Sequence, residues 1–369
     1  MRLVGALALG AFVTACGSES TPCDTSTTSA FYVATDENSA TSIGSLPLDG
    51  APPSSRNVMS KDPALAWSHD RRFVIQRDLD ALFESDACGD ALLQLSARAA
   101  GEAGPVNPQD VAVAPDGSIW IARFGVVGET TAPASIYIPN ASPESTTIDL
   151  SSFDSDGNPD ASSIRILGTN AFVTLERLQN EEPTQDAIMA IIDTSTLKLA
   201  TNVTLKGRNP FGLMKEENGM LWIAAPGSFS DAAETNAGVE VFDTSAMTSS
   251  LVVTEATLGA SVVEVAPSSD GTCAAAILAD ATTANSTSLV SFPVDPTTHA
   301  AGGVTTLIAP TGNFDLRGLF WTQNGTLLVA DDRPTQSGFP IHVFSNQSCT
   351  LTKAPDLALV GLPALAFSN

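Results

Sequence analysis

Basic side chains are scarce in this sequence: 17 Lys and Arg stand against 41 Asp and Glu in 369 residues, a net charge of −24. A surface so acidic repels phosphate backbones and anionic headgroups, so nucleic acid and charged bilayers are excluded as partners of the surface as a whole. Long apolar runs are missing after the first fifteen residues, and no later segment has the length needed to cross a bilayer as a helix. The strings G-x-S-x-G, H-E-x-x-H and the phosphate-binding P-loop are absent too, which removes the motif-bearing hydrolases and NTPases. Histidine is scarce as well, with three in all.

What is present begins with an address. "MRLVGALALGAFVTACGSES" has one Arg, an apolar stretch from Leu3 to Ala15 too short to span a membrane, and then a cysteine. Residues 1–15 read as a signal peptide and residues 16–29 as a flexible linker. "VTAC" resembles the bacterial lipobox, and the resemblance implies acylation of Cys16 as the first mature residue. An ordinary secretory peptide cleaved after Ala15 is the alternative. Gly17, rather than Asp, follows the cysteine, which by the lipoprotein sorting pattern implies the outer membrane. The lipid is then the expected attachment to the membrane.

The remainder, residues 30–369, repeats one unit: apolar run, tight turn, apolar run, variable polar loop, a third run, a turn and a fourth run. "DVAVAPDGSIWIAR", "FGLMKEENGMLWIAA", "VVEVAPSSDGTCAAAI" and "RGLFWTQNGTLLVAD" are the clearest first halves, with "PALAWSHDRRFVIQR" and "SIRILGTNAFVTLER" as weaker copies. Asp-Gly and Asn-Gly tolerate the positive φ of a hairpin turn, so each copy predicts a β-hairpin. The turns recur at Arg71, Gly117, Asn170, Gly219, Gly271 and Gly325, a period of 46 to 54 residues. Four short strands and their loops fill that length, the size of a propeller blade.

"PALAFSN" at 363–369 matches a first strand that stops at its turn, while "AFYVATD" at 30–36 matches a second strand with no first strand before it. Pairing the two, with "SIGSLPL" and "RNVM" as third and fourth strands, completes a seventh blade. The sequence therefore predicts an all-β, seven-bladed β-propeller of four-stranded antiparallel blades. One C-terminal strand pairs with three N-terminal ones to close the ring, which removes the exposed edge of an open array.

The stretch "IIDTSTLKLATNVTLKGRNPFGLMKEENGMLWIAA" resembles the YVTN-type repeat of bacterial surface and periplasmic seven-bladed propellers. The shared features are an "IDT" strand end, an "NPFG" approach to the inner strand and a hairpin ending in "LWIAA"; the YVTN tetrapeptide itself is missing. That family is defined by repeats, so the resemblance implies fold and not activity.

In a propeller of this phase the first hairpin turns share one face, and the long loops between second and third strands share the other, the usual seat of binding. Arg77, Arg123 and Arg177 end second strands in three successive blades, and Arg208, Arg317 and Arg333 fall on the same face. Guanidinium groups suit carboxylate or phosphate, so the expected ligand at this face is an anionic small molecule, a glycan or a protein. Asp78, Asp80, Glu176, Glu181, Asp331 and Asp332 lie beside these arginines, so a structural ion-pair network is the competing role. Asp154, Asp156 and Asp160 in "DSDGNPD" offer oxygen ligands to calcium, against an Asx-rich turn without one.

His69 falls in a hairpin turn on the other face, His299 in an outer turn and His342 inside a third strand, so none is placed as a base at the expected binding face. By the same phase count Cys23 and Cys349 share the hairpin-turn face and are expected to pair, leaving Cys88 and Cys273 free. The function expected is a lipid-anchored, non-enzymatic binding or scaffold module of the cell envelope. The alternative is a metal-assisted hydrolase or lactonase of the gluconolactonase-like propeller kind, with Asn107, Asp110, Asn209 and Asp315 at first-strand entrances as its ligand set.

Overall fold

Each Asn-Gly or Asp-Gly step reverses the chain through a left-handed glycine: φ is +86° at Gly117, +76° at Gly219, +67° at Gly271 and +78° at Gly325. Two β-rich runs therefore fold back on one another, and two such hairpins make each blade. A computed structural model describes residues 29–38, 40–126, 134–141, 144–229, 231, 234–280 and 286–368. Cys16, Cys23 and the rest of the segment before Ser29 lie outside the described residues.

Seven antiparallel sheets result, each built on four strands. Blade 1 is composite, in the order Ala364–Ser368, Ser29–Thr35, Thr41–Pro47, Arg56–Val58, with Phe31 opposite Ser368 and Tyr32 opposite Phe367. Blades 2 to 7 follow in chain order, their first strands being Pro63–Ser68, Pro108–Val113, Ala161–Leu167, Phe211–Glu217, Ser261–Pro267 and Leu316–Trp321. Each first strand packs against the first strand of the next blade, and Ala364–Ser368 packs against both Leu316–Trp321 and Pro63–Ser68. The inner ring is closed. In blade 7 a short extra strand, Leu357–Leu359, adds to Phe339–Ile341.

The core lies between blades, as stacked sheets require, and divides into seven apolar clusters, one for each blade-to-blade interface. Fourth strands face solvent and carry polar residues, as in the exposed run Lys198–Thr204. At the seam between blades 7 and 1 the backbones approach so closely that a Cβ on Gly318, whose φ is +57°, would sit 2.7 Å from the carbonyl oxygen of Leu365. Only glycine fits there.

Polar ties step around the channel from one inner strand to the next. Asp110 of blade 3 is fully buried, and its Oδ2 accepts from Ser163 Oγ (2.6 Å), Ile164 N (2.9 Å) and Arg165 Nη1 (2.6 Å) of blade 4. Ser163 Oγ accepts from Met214 N of blade 5, Lys215 Nζ lies 3.9 Å from Glu264 Oε1 of blade 6, and Glu264 accepts from Leu319 N of blade 7. Trp67 of blade 2 sits beneath both cations, 4.2 Å from Lys215 Nζ and 5.8 Å from the Arg165 guanidinium carbon. Burial lowers the Lys215 pKa to about 8, the Arg165 charge pushing the same way against the pull of Glu264 and Asp110.

The cysteine expectation is overturned. Cys349 pairs with Cys273, at a Cα–Cα separation of 5.2 Å, and Cys88 is disulfide-bonded as well. Cys273 is not left free, because its strand belongs to blade 6, the immediate neighbour of the blade that carries Cys349. Cys273 opens a second strand just after its hairpin turn, and Cys349 lies in the turn between Phe339–Gln347 and Thr350–Lys353, so both reach the hairpin-turn face. Cys88 occupies the equivalent turn of blade 2, between Ala81–Ser85 and Ala91–Ser96, and so lies on that face rather than the opposite one.

Candidate functional site

The long-loop face holds a cavity of about 730 Å³ built from four successive blades. Arg77 comes from blade 2, Asn107, Gln109 and Phe124 from blade 3, Ser162, Glu176 and Glu181 from blade 4, and Asn209, Phe211 and Phe229 from blade 5. Local sequence explains the placement. Asn107 and Asn209 each precede a proline at a first-strand entrance and adopt φ of +47° and +53°, which turns the chain out of the loop and into the channel. Asn209 Nδ2 donates to the carbonyl of Gly227 at 2.9 Å, fastening the blade 5 entrance to the end of its second strand. Beyond that point Phe229 meets Phe211 edge to face, centroids 5.5 Å apart. Phe211 is 42% exposed, a large apolar surface left at the rim.

The polar lining consists mostly of acceptors. Glu176 is 5% exposed; burial, reinforced by the nearby Asp160 carboxylate, holds its pKa well above the usual range. Glu181, at φ +67°, and Glu182 flank it in the blade 4 loop. Asn209 Oδ1 is buried with no hydrogen-bond donor. Gln109 Nε2 is satisfied by Asn107 Oδ1 at 2.7 Å.

Of the six arginines expected at a ligand, only Arg77 lines this cavity, and its Nη1 is 2.9 Å from Asp62 Oδ1. Arg123 is fully buried, bound to Glu102 at 2.7 Å and to Ser135, and lies over the Tyr137 ring. Arg177 donates to the carbonyls of Phe153 and Asp186 and to Gln185. Arg208 lies 3.5 Å from Asp186. Arg317 pairs with Glu37 and Asp332, and Arg333 with Asp331 and Asp315. Every one of the six has an acidic or carbonyl partner within the protein, the arrangement of a structural network.

Asp154, Asp156 and Asp160 turn their carboxylates to protein donors. Asp154 accepts from Gln179 and Gln185, Asp156 from Asn158 N, and Asp160 from Asn158 Nδ2 at 2.7 Å and Leu178 N at 2.7 Å. Burial raises the Asp160 pKa to about 7, an effect that the carboxylates of Asp156 and Asp154 reinforce. Among the described residues no cluster of three His, Cys, Asp or Glu is arranged to hold a metal ion. Of the proposed hydrolase ligands, the fold brings Asn107 and Asn209 into one cavity. Asp110 is committed to Arg165 inside the channel, and Asp315 lies beside Arg333. The three histidines line no part of the cavity; His342 bridges Asp331 and Asp356, each at 3.0 Å.

Phe124, Phe211 and Phe229 were not singled out by charge counting, although Phe211 stands in the same "NPFG" string that marks the strand entrance, and Glu176 was named only as a neighbour of the arginines. No family profile and no curated protein sequence matches this chain. Solved structures do. A hydrazine synthase structure from Kuenenia stuttgartiensis aligns over 82% of this chain and 87% of its own, at 12% identity and a TM-score of 0.56. A Lactobacillus plantarum protein aligns over 92% and 98%, at 12% identity and a TM-score of 0.55. Apo AztD from Citrobacter koseri covers the same shares at 13% identity, with a TM-score of 0.49. The likeness is one of fold.

Proposed function

We propose that this chain is a non-enzymatic ligand-binding module of the cell envelope, carried on a lipid at Cys16 and related in repeat design to YVTN-type propellers. The observation that carries the reading is the cavity at the long-loop face: four blades contribute to it, and three phenylalanines and an unsatisfied buried acceptor line it. Concave, largely apolar sites with a few convergent polar groups are where propeller-sized scaffolds hold small ligands. Among the described residues its lining holds no histidine, lysine or cysteine, and the hydroxyl of Ser162, which lies within hydrogen-bond reach of Glu176, is turned to the Pro210 carbonyl at 2.9 Å. Binding is therefore favoured over nucleophilic chemistry.

A small-molecule screen by thermal shift, repeated on Ser228→Trp to fill the mouth, tests this reading. Ligands are expected to raise the melting temperature of the wild type and leave the variant unchanged. Hits that stabilise both proteins equally would place binding elsewhere. Acylation is checked by fatty-acid labelling, which Cys16→Ser should abolish. The hydrolase alternative keeps one supporting observation, the convergence of Asn107 and Asn209 with Glu176 in one cavity. Calcium-dependent lactone hydrolysis lost in Asn209→Ala would establish it.

A further inference from the structure

The chemistry of the cavity wall runs against the anionic ligand that the arginine count suggests. Glu176, Glu181 and Glu182 line the cavity, and among the described residues none of the three forms an ion pair. Among the described residues the basic lining residue is Arg77, whose Nη1 is engaged by Asp62 and whose buried Nε has no acceptor. Apart from that one N–H, what the wall offers beyond its internal bonds is a set of acceptors.

Asn209 makes the point most sharply. Its side chain is 5% exposed, and its orientation is fixed because only the NH2 end can donate to the Gly227 carbonyl. Oδ1 is therefore the other end, a buried carbonyl oxygen with no donor. A buried acceptor left unpaired costs about 1–3 kcal/mol, so an N–H donor arriving from a ligand recovers that loss. Apolar lining accompanies the acceptors: Phe124, Phe211 and Phe229, the last two edge to face. Aromatic faces favour cations through the ring quadrupole, the exposed Glu181 and Glu182 carboxylates add direct charge, and buried Glu176 offers its carboxyl oxygens as acceptors. An overall charge of −24 adds long-range attraction of the same sign.

We propose that the loop-face cavity recognises an organic cation: an ammonium group on an apolar body, the ammonium directed at Glu176 and Asn209 Oδ1 and the body against the phenylalanines. This rests on the binding reading above and adds the class of ligand. A neutral polyol would need donors as well as acceptors from the wall, and the Gln109 amide that would supply them is spent on Asn107.

Titration calorimetry with three isosteric probes, phenethylammonium, 2-phenylethanol and phenylacetate, tests it on the mature protein. Phenethylammonium is expected to bind at least tenfold more tightly than 2-phenylethanol, with phenylacetate weaker still. Glu176→Gln and the surface variant Glu181→Gln/Glu182→Gln should each remove most of that preference, and the second leaves the core untouched. Equal binding of ammonium and alcohol, both lost in Ser228→Trp, would overturn the cation class while leaving the binding module standing. Tighter binding of phenylacetate would do the same. Calcium that displaces phenethylammonium from the cavity would also overturn it, in favour of an inorganic cation. If no probe binds and the wider screen finds no ligand sensitive to Ser228→Trp, the binding reading itself fails.

Discussion

Replacing Asp110 with leucine should cost more than almost any other single change in the molecule. Asp110 is wholly buried, and one oxygen, Oδ2, accepts three hydrogen bonds from blade 4. Leucine shares the branching of aspartate but is larger and accepts nothing, so Ser163 Oγ and Ile164 N lose their acceptor and the Arg165 guanidinium, whose Nη2 already lacks a partner, loses its carboxylate. Removing one member of a buried ion pair typically costs about 3–5 kcal/mol, because the remaining charge stays desolvated. The lost amide and hydroxyl acceptor adds to this only in part, since the three bonds share one atom. We expect a total of about 4–5 kcal/mol on that basis, and about half as much for Asp110→Asn, which keeps an acceptor but not the charge. Adding Arg165→Met to Asp110→Leu should recover several kcal/mol, since an apolar pair of like volume removes the stranded charge. Urea unfolding of the wild type, Asp110→Leu, Arg165→Met and the double variant, followed by near-UV circular dichroism with Asp110→Asn alongside, completes the cycle. A loss below about 1 kcal/mol for Asp110→Leu, or a double variant no more stable than the single, would refute the role of this pair in holding the inner ring.

Phe367, 2% exposed in the seam cluster, should lose about 3–5 kcal/mol on change to alanine, whereas the 42% exposed Phe211 should lose under about 1 kcal/mol; equal losses by urea titration would contradict the closure argument. Joining residues 76 apart, the Cys273–Cys349 bond should contribute about 4.5 kcal/mol by loop entropy, so Cys273→Ser/Cys349→Ser should melt well below the wild type under non-reducing conditions. Burial raises the Glu255 pKa to about 8, so the folded state favours the protonated form. Its stabilising effect is full below the unfolded value near 4.5 and is lost as pH rises to about 8. Glu255→Gln should therefore match the wild type at pH 4 and exceed it at pH 9 in melting temperature, and parallel pH profiles for the two would argue against it.

Much of the fold could be read from residues because its determinants are local. A two-residue turn forces a hairpin wherever it occurs, and a regular spacing of such turns leaves few architectures. The composite blade was readable for the same reason, since "PALAFSN" and "AFYVATD" are halves of one hairpin. The site was less readable because its determinants are not local. Arg77, Arg123 and Arg177 hold equivalent sequence positions, yet Arg123 turns into the protein toward Glu102, a partner 21 residues upstream that no period announces. The cavity depends on which side chains of four blades converge, and phase assigns a face but not a direction. Cysteine pairing failed on a single counting step, because Cys273 and Cys349 belong to adjacent blades while lying 76 residues apart.

The seam of blade 1 also sets an order of events. Phe31 and Ser368 pair across more than three hundred residues of chain, while within every other blade the partners are nearest neighbours in sequence. Closing so long a loop costs about 5 kcal/mol in chain entropy, against about 2 for a ten-residue hairpin. Blades 2 to 7 can therefore assemble by short steps into an arc whose two rims wait for each other, and the final pairing is a single late event. The same contact is the weakest in kinetic terms: once it parts, nothing local holds Ala364–Ser368 beside Ser29–Thr35. Amide protons of Tyr32 to Ala34 should accordingly exchange through an opening that leaves the other blades protected, which makes this seam the latch of the ring.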